Sequence, residues 1–476
     1  MKHNLLNTIT GTYTDQYQLT MAQVYFLKGK KDHTAVFDYF FRKLPFEGGY
    51  AVFAGLDDLL DLLENLHFDE QDIDFIREQG FHPEFIRYLQ DFRFSGTIYS
   101  NREGNPVFPI LPVLSVEAGI IEAQLIETLL LNILNYQTLI ATKASRMRYV
   151  AGDRKLMDFG LRRAQGAGGF HAARAAVIGG FDSTSNVRAG RDYQIPVSGT
   201  MAHSFVQSYD NERTAFRDFA AGRPDDCVLL VDTYDTLSSG VPNAIAVGKE
   251  MEANGYRLKG IRLDSGDLAW LARQSRKALD EAGLGYVKIA GSNQIDEYVI
   301  RSLTAQQAPI DLFGIGTSLV TGRPDAALDG VYKLAFAHNK PRIKLSESIA
   351  KITLPHRKQV FRVMDEEGLF YGADAAALAE EKSVETMHHT VDPLKSLAIK
   401  AYGQQPQLHK VMEHGARLTD PLPLNEIRQF SGQRLQLLPP EYQRFENPHI
   451  YKVGISARLK KERDHLVEWA VQQLRG

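Results

Sequence analysis

The side chains with most chemistry to offer are a histidine, several arginines and acidic residues set beside glycine turns. His203 stands in Ser198-Gly-Thr-Met-Ala-His-Ser204, just after the apolar Ile195-Pro-Val197. Imidazole titrates near neutrality and is a good nucleophile, so His203 could accept a phosphoryl group or move a proton. A packed or capping histidine fits the same context. Arg262, Asp264 and Asp267 occur in Arg262-Leu-Asp-Ser-Gly-Asp267. On a strand, positions 262 and 264 point to one side. There the guanidinium can bind an anion bidentately, and the carboxylate can hold Mg²⁺ or a ribose hydroxyl. The competing reading is an internal ion pair, with Ser265 or Asp267 capping the next helix.

Weaker signals surround these. Gly314-Ile-Gly-Thr-Ser318 resembles a phosphate cradle, because glycines admit close backbone approach and a following helix start offers free N–H groups; a tight turn is the commoner origin. Gly291-Ser-Asn293, with Ser292 at its centre, is equally ambiguous. Arg162 and Arg163 follow Asp158-Phe-Gly160 and could grip phosphate or carboxylate, or simply open a solvated helix. Gly179-Gly-Phe-Asp-Ser-Thr-Ser-Asn186 is dense in hydroxyls but by itself indicates only a turn. Zinc spacing, a Walker A loop and GxGxxG after a strand are all absent, and His171, His388 and His389 stand apart from any ligand pattern.

The elements that must position these residues follow from pattern. Between about 140 and 345, short apolar runs end in polar or glycine-rich turns and lead into helices. Cys227–Val231 ends at Asp232-Thr-Tyr-Asp235, Gly260–Leu263 at Asp264, Val287–Ala290 at Gly291, and Ile310–Ile315 at Gly316. After Asp267, Leu268, Leu271, Ala272 and Leu279 line one helical face, and Gly283 stops it. Such units predict parallel strands under covering helices, with chemistry on the loops after the strands, as in a barrel. Residues 1–139 read as a mixed α+β segment. In it, Leu56, Leu59, Leu60, Leu63 and Leu66 form a helical stripe, 94–113 gives short strands, and 117–135 reads as one amphipathic helix. Residues 346–476 return to mixed patterns, with a hairpin over 359–371 and a terminal helix over 459–474.

Composition bounds the function. The chain has 476 residues, 44% hydrophobic and 24% charged, which excludes disordered, collagen-like and coiled-coil classes. A net charge of −3 argues against generic binding to nucleic acid or anionic membrane. Any bound anion must be held by a local donor cluster. The lone cysteine, Cys227, reads as a core residue, allows no internal disulfide and suits a reducing cytoplasm. The opening residues show no sustained apolar stretch of the signal-peptide kind, and the most apolar run, 117–135, is interrupted by Glu117, Glu122, Glu127 and Asn132, so no membrane span is expected.

Taken in order, the clusters resemble the nicotinate phosphoribosyltransferase family. The motifs carrying the likeness are Thr14-Asp-Gln-Tyr-Gln-Leu-Thr-Met21, Phe37-Asp-Tyr-Phe-Phe-Arg42, Asp158-Phe-Gly-Leu-Arg-Arg163, Gly179–Asn186, Gly199–Ser204, Arg262–Asp267, Phe313–Ser318 and Lys344-Leu-Ser346. The resemblance implies an irregular α/β barrel of the type II phosphoribosyltransferase kind. A mixed α+β domain built from both chain ends would pack on it. It implies that nicotinate, 5-phosphoribosyl-1-pyrophosphate and ATP give nicotinate mononucleotide, pyrophosphate, ADP and phosphate, with Mg²⁺, in NAD synthesis. A cytoplasmic homodimer with shared active sites is implied as well.

Residue roles come with the resemblance. His203 matches the phosphorylated histidine. Phe159 and Tyr17 match the aromatic pair around the pyridine ring, Tyr17 coming from the neighbouring subunit. Arg162 and Thr200 fall near base and phosphoribosyl group, and Ser292 joins the substrate-binding set. Arg262 and Asp264 face the reacting centre, with Asp264 a metal candidate, and Gly316 and Thr317 hold the 5-phosphate. Ser185 takes the place of an Asp found in nicotinamide-using relatives. An uncharged hydroxyl can donate to a carboxylate that an Asp would repel, which favours nicotinate. Three rivals remain at this level: a nicotinamide-preferring relative, a quinolinate phosphoribosyltransferase lacking evident cations for the second carboxylate, and a non-catalytic pyridine-nucleotide binder.

Overall fold

Strand and helix patterns of the middle third meet in one parallel sheet. The computed structural model describes residues 9–345 and 352–475. Six strands lie in the order Ser183–Thr184, Lys155–Asp158, Leu312–Ile315, Lys288–Ser292, Gly260–Leu263, Val228–Leu230, every neighbouring pair parallel. No ladder joins the two end strands among the described residues, so the barrel is irregular. Alternation along the strands explains its character. Leu156, Ile261, Leu263, Ile289, Phe313 and Ile315 occupy one parity and are at most 1% exposed. On the opposite parity stand Gly260, Arg262, Ala290, Ser292 and Gly314, with Met157, Val228 and Leu312, and these line an internal cavity. A barrel interior is normally filled by layers of branched side chains; here the small residues at 260, 290, 292 and 314 leave part of it open.

The helix after Asp267 spans Leu268–Glu281, with Ala269, Leu271, Ala272, Ser275 and Leu279 buried. The Asp267 side chain accepts the Trp270 N–H at 3.0 Å, so the capping role foreseen for it is real. Gly283, at φ +74°, follows as the stop. Cys227 is fully buried, and burial pushes its thiol up to about 12, which leaves it chemically quiet.

The residues before 143 and after 326 form a second unit. Its larger sheet is antiparallel and draws on both ends of the chain: Thr97–Ser100 pairs with Leu114–Gly119 on one side and His409–Glu413 on the other. Arg417 fastens the late segment to the early helix Leu56–Asn65, reaching Asp57 at 2.8 Å, Asp61 at 2.5 Å and Glu64 at 3.0 Å. The hairpin expected near 359–371 exists as Lys358–Met364 against Phe370–Leu378, and the terminal helix runs Ala457–Arg475.

Two expectations need correction. The barrel segment ends at 326, not 345, because Gly330–Ala337 pairs antiparallel with Thr34–Phe41 and so belongs to the other sheet. The single helix over 117–135 is instead the strand Leu114–Gly119, the short helix Ile120–Leu125 and the long helix Glu127–Ala151. Acidic residues at 117, 122 and 127 look helical by spacing alone. Pairing of Leu114–Gly119 on both edges overrides that local signal.

Candidate active site

The carboxyl ends of the parallel strands carry the reactive side chains, and a cavity inside the sheet reaches from Thr200 and Ser292 at those ends to Asp226, Lys259 and Lys288 at the amino ends. It measures about 280 Å³ and is lined by Phe159, Thr200, Arg262, Ser292 and Gly314, among others. Of its cations, Lys259 and Lys288 are exposed and paired with Asp226 and Asp311, while Arg262 is largely buried. One of its terminal nitrogens donates to Thr200 Oγ1 at 2.7 Å, while its buried Nε has no hydrogen-bond partner among the described residues. Burial lowers the guanidinium below its ordinary value, opposed by Asp264 and Asp232 and reinforced by the Arg162 charge. A buried donor left unpaired is costly unless something else accepts from it.

Asp264 accepts from the Ser292 hydroxyl, so these two expected residues do meet. His203 begins the short helix His203–Gln207. Its Nδ1 lies 3.1 Å from Thr233 Oγ1, and its Nε2 lies 3.9 Å from both Asp264 Oδ2 and Asp232 Oδ1. Asp232 and Thr233 were not singled out from sequence. Asp232 closes the strand-end turn after Val228–Leu230 as Asp264 does after Gly260–Leu263, and that repetition was the available signal. The Asp232 carboxylate accepts the Asp264 N–H at 2.8 Å and the Ser265 hydroxyl at 2.6 Å through Oδ2, while buried Oδ1 has no hydrogen-bond partner among the described residues.

Phe159 follows the strand Lys155–Asp158. Its ring lies against Gly314, where an added Cβ would come within 2.4 Å of a ring carbon. Ser185 sits in the neighbouring loop, half-buried. Arg162 lies in the exposed turn Leu161–Arg163. Gly316 and Thr317 start the short helix Thr317–Val320, with Thr317 exposed. Tyr17 belongs to the other unit and is not among the cavity residues; it is 49% exposed on the helix Gln16–Leu27. Ser346 of the expected Lys344-Leu-Ser346 motif lies outside the described residues. No cluster of three or more His, Cys, Asp or Glu suited to a metal occurs among the described residues. No described helix is long and apolar enough to cross a membrane.

A parallel barrel with polar strand ends, joined to a mixed domain made from both chain termini, defines the type II phosphoribosyltransferase class. Sequence models of the nicotinate phosphoribosyltransferase family match its N-terminal domain at residues 12–135, its central region at 154–351 and its C-terminal domain at 357–463. Nicotinate phosphoribosyltransferase of Bacillus subtilis is 44% identical over 97% of this chain and 96% of that protein, and that of Caenorhabditis elegans 37% over 94% and 91%. The crystal structure of human nicotinic acid phosphoribosyltransferase superposes with a TM-score of 0.85 at 32% identity, covering 95% of this chain and 99% of that one. The chain belongs to the nicotinate phosphoribosyltransferase family.

Proposed function

We propose that this protein joins nicotinate to 5-phosphoribosyl-1-pyrophosphate, giving nicotinate mononucleotide and pyrophosphate for NAD synthesis. We further propose that ATP hydrolysis to ADP and phosphate drives this step through a phosphohistidine at His203. The observation that carries the reading is Arg262, held in the cavity wall with an unpaired buried donor beside Thr200 and Asp264.

The chemistry divides among the residues as follows. The pyridine nitrogen already has its lone pair and needs no base, so positioning dominates. Phe159 stacks on the ring, and Tyr17 of a neighbouring subunit covers the other face; its exposure suits a residue awaiting a partner. Ser185 and Arg162 meet the nicotinate carboxylate. Gly316 and Thr317 take the 5-phosphate, and Thr200, Arg262 and Ser292 hold the phosphoribosyl group. As pyrophosphate leaves ribose C1, positive charge grows on the sugar, and the Asp264 carboxylate offsets it. When Nδ1–H donates to Thr233, Nε2 carries the lone pair that attacks the γ-phosphorus of ATP, with ADP leaving.

Mg²⁺ fits the donor set. It commonly uses one or two carboxylates plus substrate phosphates, and Asp264 with the unpaired Asp232 Oδ1 offers that. When bound, the ion neutralises charge on the departing pyrophosphate. The assembly we propose is a cytoplasmic homodimer.

One assay tests the reading: steady-state turnover of native enzyme and His203→Ala with nicotinate or nicotinamide, with and without ATP. Native enzyme is expected to prefer nicotinate and to be stimulated by ATP. The variant is expected to keep slow ATP-independent synthesis and to lose both stimulation and phosphate incorporation. Preference for nicotinamide would overturn the base assignment; ATP stimulation surviving in the variant would overturn the role of His203.

A further inference from the structure

Phe159 and Ser185 stand on different loops, and neither loop's own sequence fixes the separation between them. The Asp158 side chain spans it. Its Oδ1 accepts the Gly160 N–H at 2.8 Å, closing the turn that presents Phe159. Its Oδ2 accepts the Thr184 hydroxyl at 2.7 Å, one residue before Ser185. The Asp158 carbonyl accepts the Ser185 N–H at 2.8 Å, and Thr184 Oγ1 in turn accepts the Asn186 N–H at 3.0 Å. Asp158 is 1% exposed and Thr184 fully buried, so water does not substitute for these contacts.

The same turn is held from the adjoining strand. Phe159 N–H donates to the Ile315 carbonyl at 2.8 Å, and the ring rests where Gly314 has no side chain. Gly160 is equally confined, since a Cβ there would come within 2.0 Å of Val320. Burial pushes the Asp158 carboxyl up to about 6, while its bonds to Thr184 and Gly160 pull the other way. An apolar residue of similar size would avoid that burial cost but would leave the Gly160 N–H and the Thr184 hydroxyl without their acceptor.

We infer that Asp158 is a positioning residue for the base subsite: it sets the spacing between Phe159 and Ser185 and through them the affinity for the pyridine ring. It acts through those two side chains. The inference rests on Phe159 and Ser185 serving the base, as proposed above.

The test is a KM comparison on Asp158→Ala, Asp158→Asn, Thr184→Val and Phe159→Ala. Asp158→Ala is expected to raise KM for nicotinate by about tenfold or more while KM for 5-phosphoribosyl-1-pyrophosphate stays within about threefold. Asp158→Asn, which still offers an acceptor to Gly160 and can donate to Thr184, is expected to return nicotinate KM to within about threefold of native. Thr184→Val keeps shape and loses two bonds, the one donated to Asp158 and the one accepted from the Asn186 N–H, so a rise of about threefold or more is expected, and it serves if Asp158→Ala does not fold. KM values for both substrates rising together, or Asn rescuing no better than Ala, would overturn the positioning role. Phe159→Ala separates the two layers. If it leaves nicotinate KM unchanged, the base assignment itself fails; if it raises KM while Asp158→Ala and Thr184→Val do not, only the role of Asp158 fails.

Discussion

Buried charge is handled in opposite ways at two places in the molecule, the Arg362 network of the mixed unit and the strand ends of the barrel unit. In the mixed unit, Arg362 is fully buried and four of its five donors are used: Asp374 takes two of them at 3.1 and 2.9 Å, Asn105 one at 3.1 Å and the Pro106 carbonyl one at 2.7 Å. Phe370 lies under the same guanidinium at 4.5 Å. Lys358, 6% exposed, is likewise satisfied, by Asp38 at 2.8 Å and by backbone carbonyls. At the barrel strand ends, Arg262 Nε and Asp232 Oδ1 have no hydrogen-bond partner among the described residues, although the same unit pairs buried Glu297 with Lys143 and Arg146. A buried ion paired with a buried carboxylate is part of the scaffold. One that lines a cavity with a donor left over can meet a ligand there, at a cost in stability.

This contrast can be broken by substitution. Arg362→Ala removes the partner of a buried Asp374 and is expected to cost about 3–5 kcal/mol in chemical denaturation. Substrate KM values of the remaining folded enzyme should be unchanged. A loss below about 1 kcal/mol would mean that this network is not structural. Arg262→Ala should behave in reverse. kcat/KM is expected to fall by about 10²–10³-fold, while the midpoint of unfolding stays level or rises. Destabilisation as large as that of Arg362→Ala would erase the distinction.

A smaller effect sharpens the comparison. Asp158 is a buried carboxyl with no cation partner among the described residues, and burial pushes it from an ordinary 3.8 up to about 6. Its folded-state pKa is raised, so the folded chain holds the proton more tightly than the unfolded one. The stability this contributes is present in acid and is lost as pH rises through about 6. Asn does not titrate. Between about pH 4 and about pH 7, the stability of the native protein relative to Asp158→Asn should therefore fall by about 2–3 kcal/mol. A difference that does not change with pH would mean that Asp158 is not buried in the unpaired form described.

Much of the site was legible because its residues sit where a strand ends. Apolar runs of four or five residues followed by Asp or Gly mark the carboxyl end of a parallel strand, and Arg262, Asp264, Ser292 and Gly316 stand at such ends, while their roles come from the family resemblance. Asp232 was passed over, although it ends the run Cys227–Val231 in the same way. An acidic residue at a strand end looks the same in sequence whether it faces a turn or a histidine. Asp158 shows in the sequence only as part of a motif, since its bond to Thr184 crosses 26 residues. The helix expected over 117–135 misread a strand whose partners lie at 34–41 and 97–100.

By itself the sequence determined the parallel strands, the parity that leaves Gly260, Ala290 and Gly314 without bulk, the helix caps and the family. These are set by period, volume and φ preference within a few residues. Tertiary structure alone decided that residues after 326 join the first segment's sheet, that Asp232 faces His203, and that Arg262 and Asp232 stay incompletely bonded. Whether a buried polar atom is satisfied depends on what distant segments bring within about 3 Å of it, and no local pattern encodes that distance.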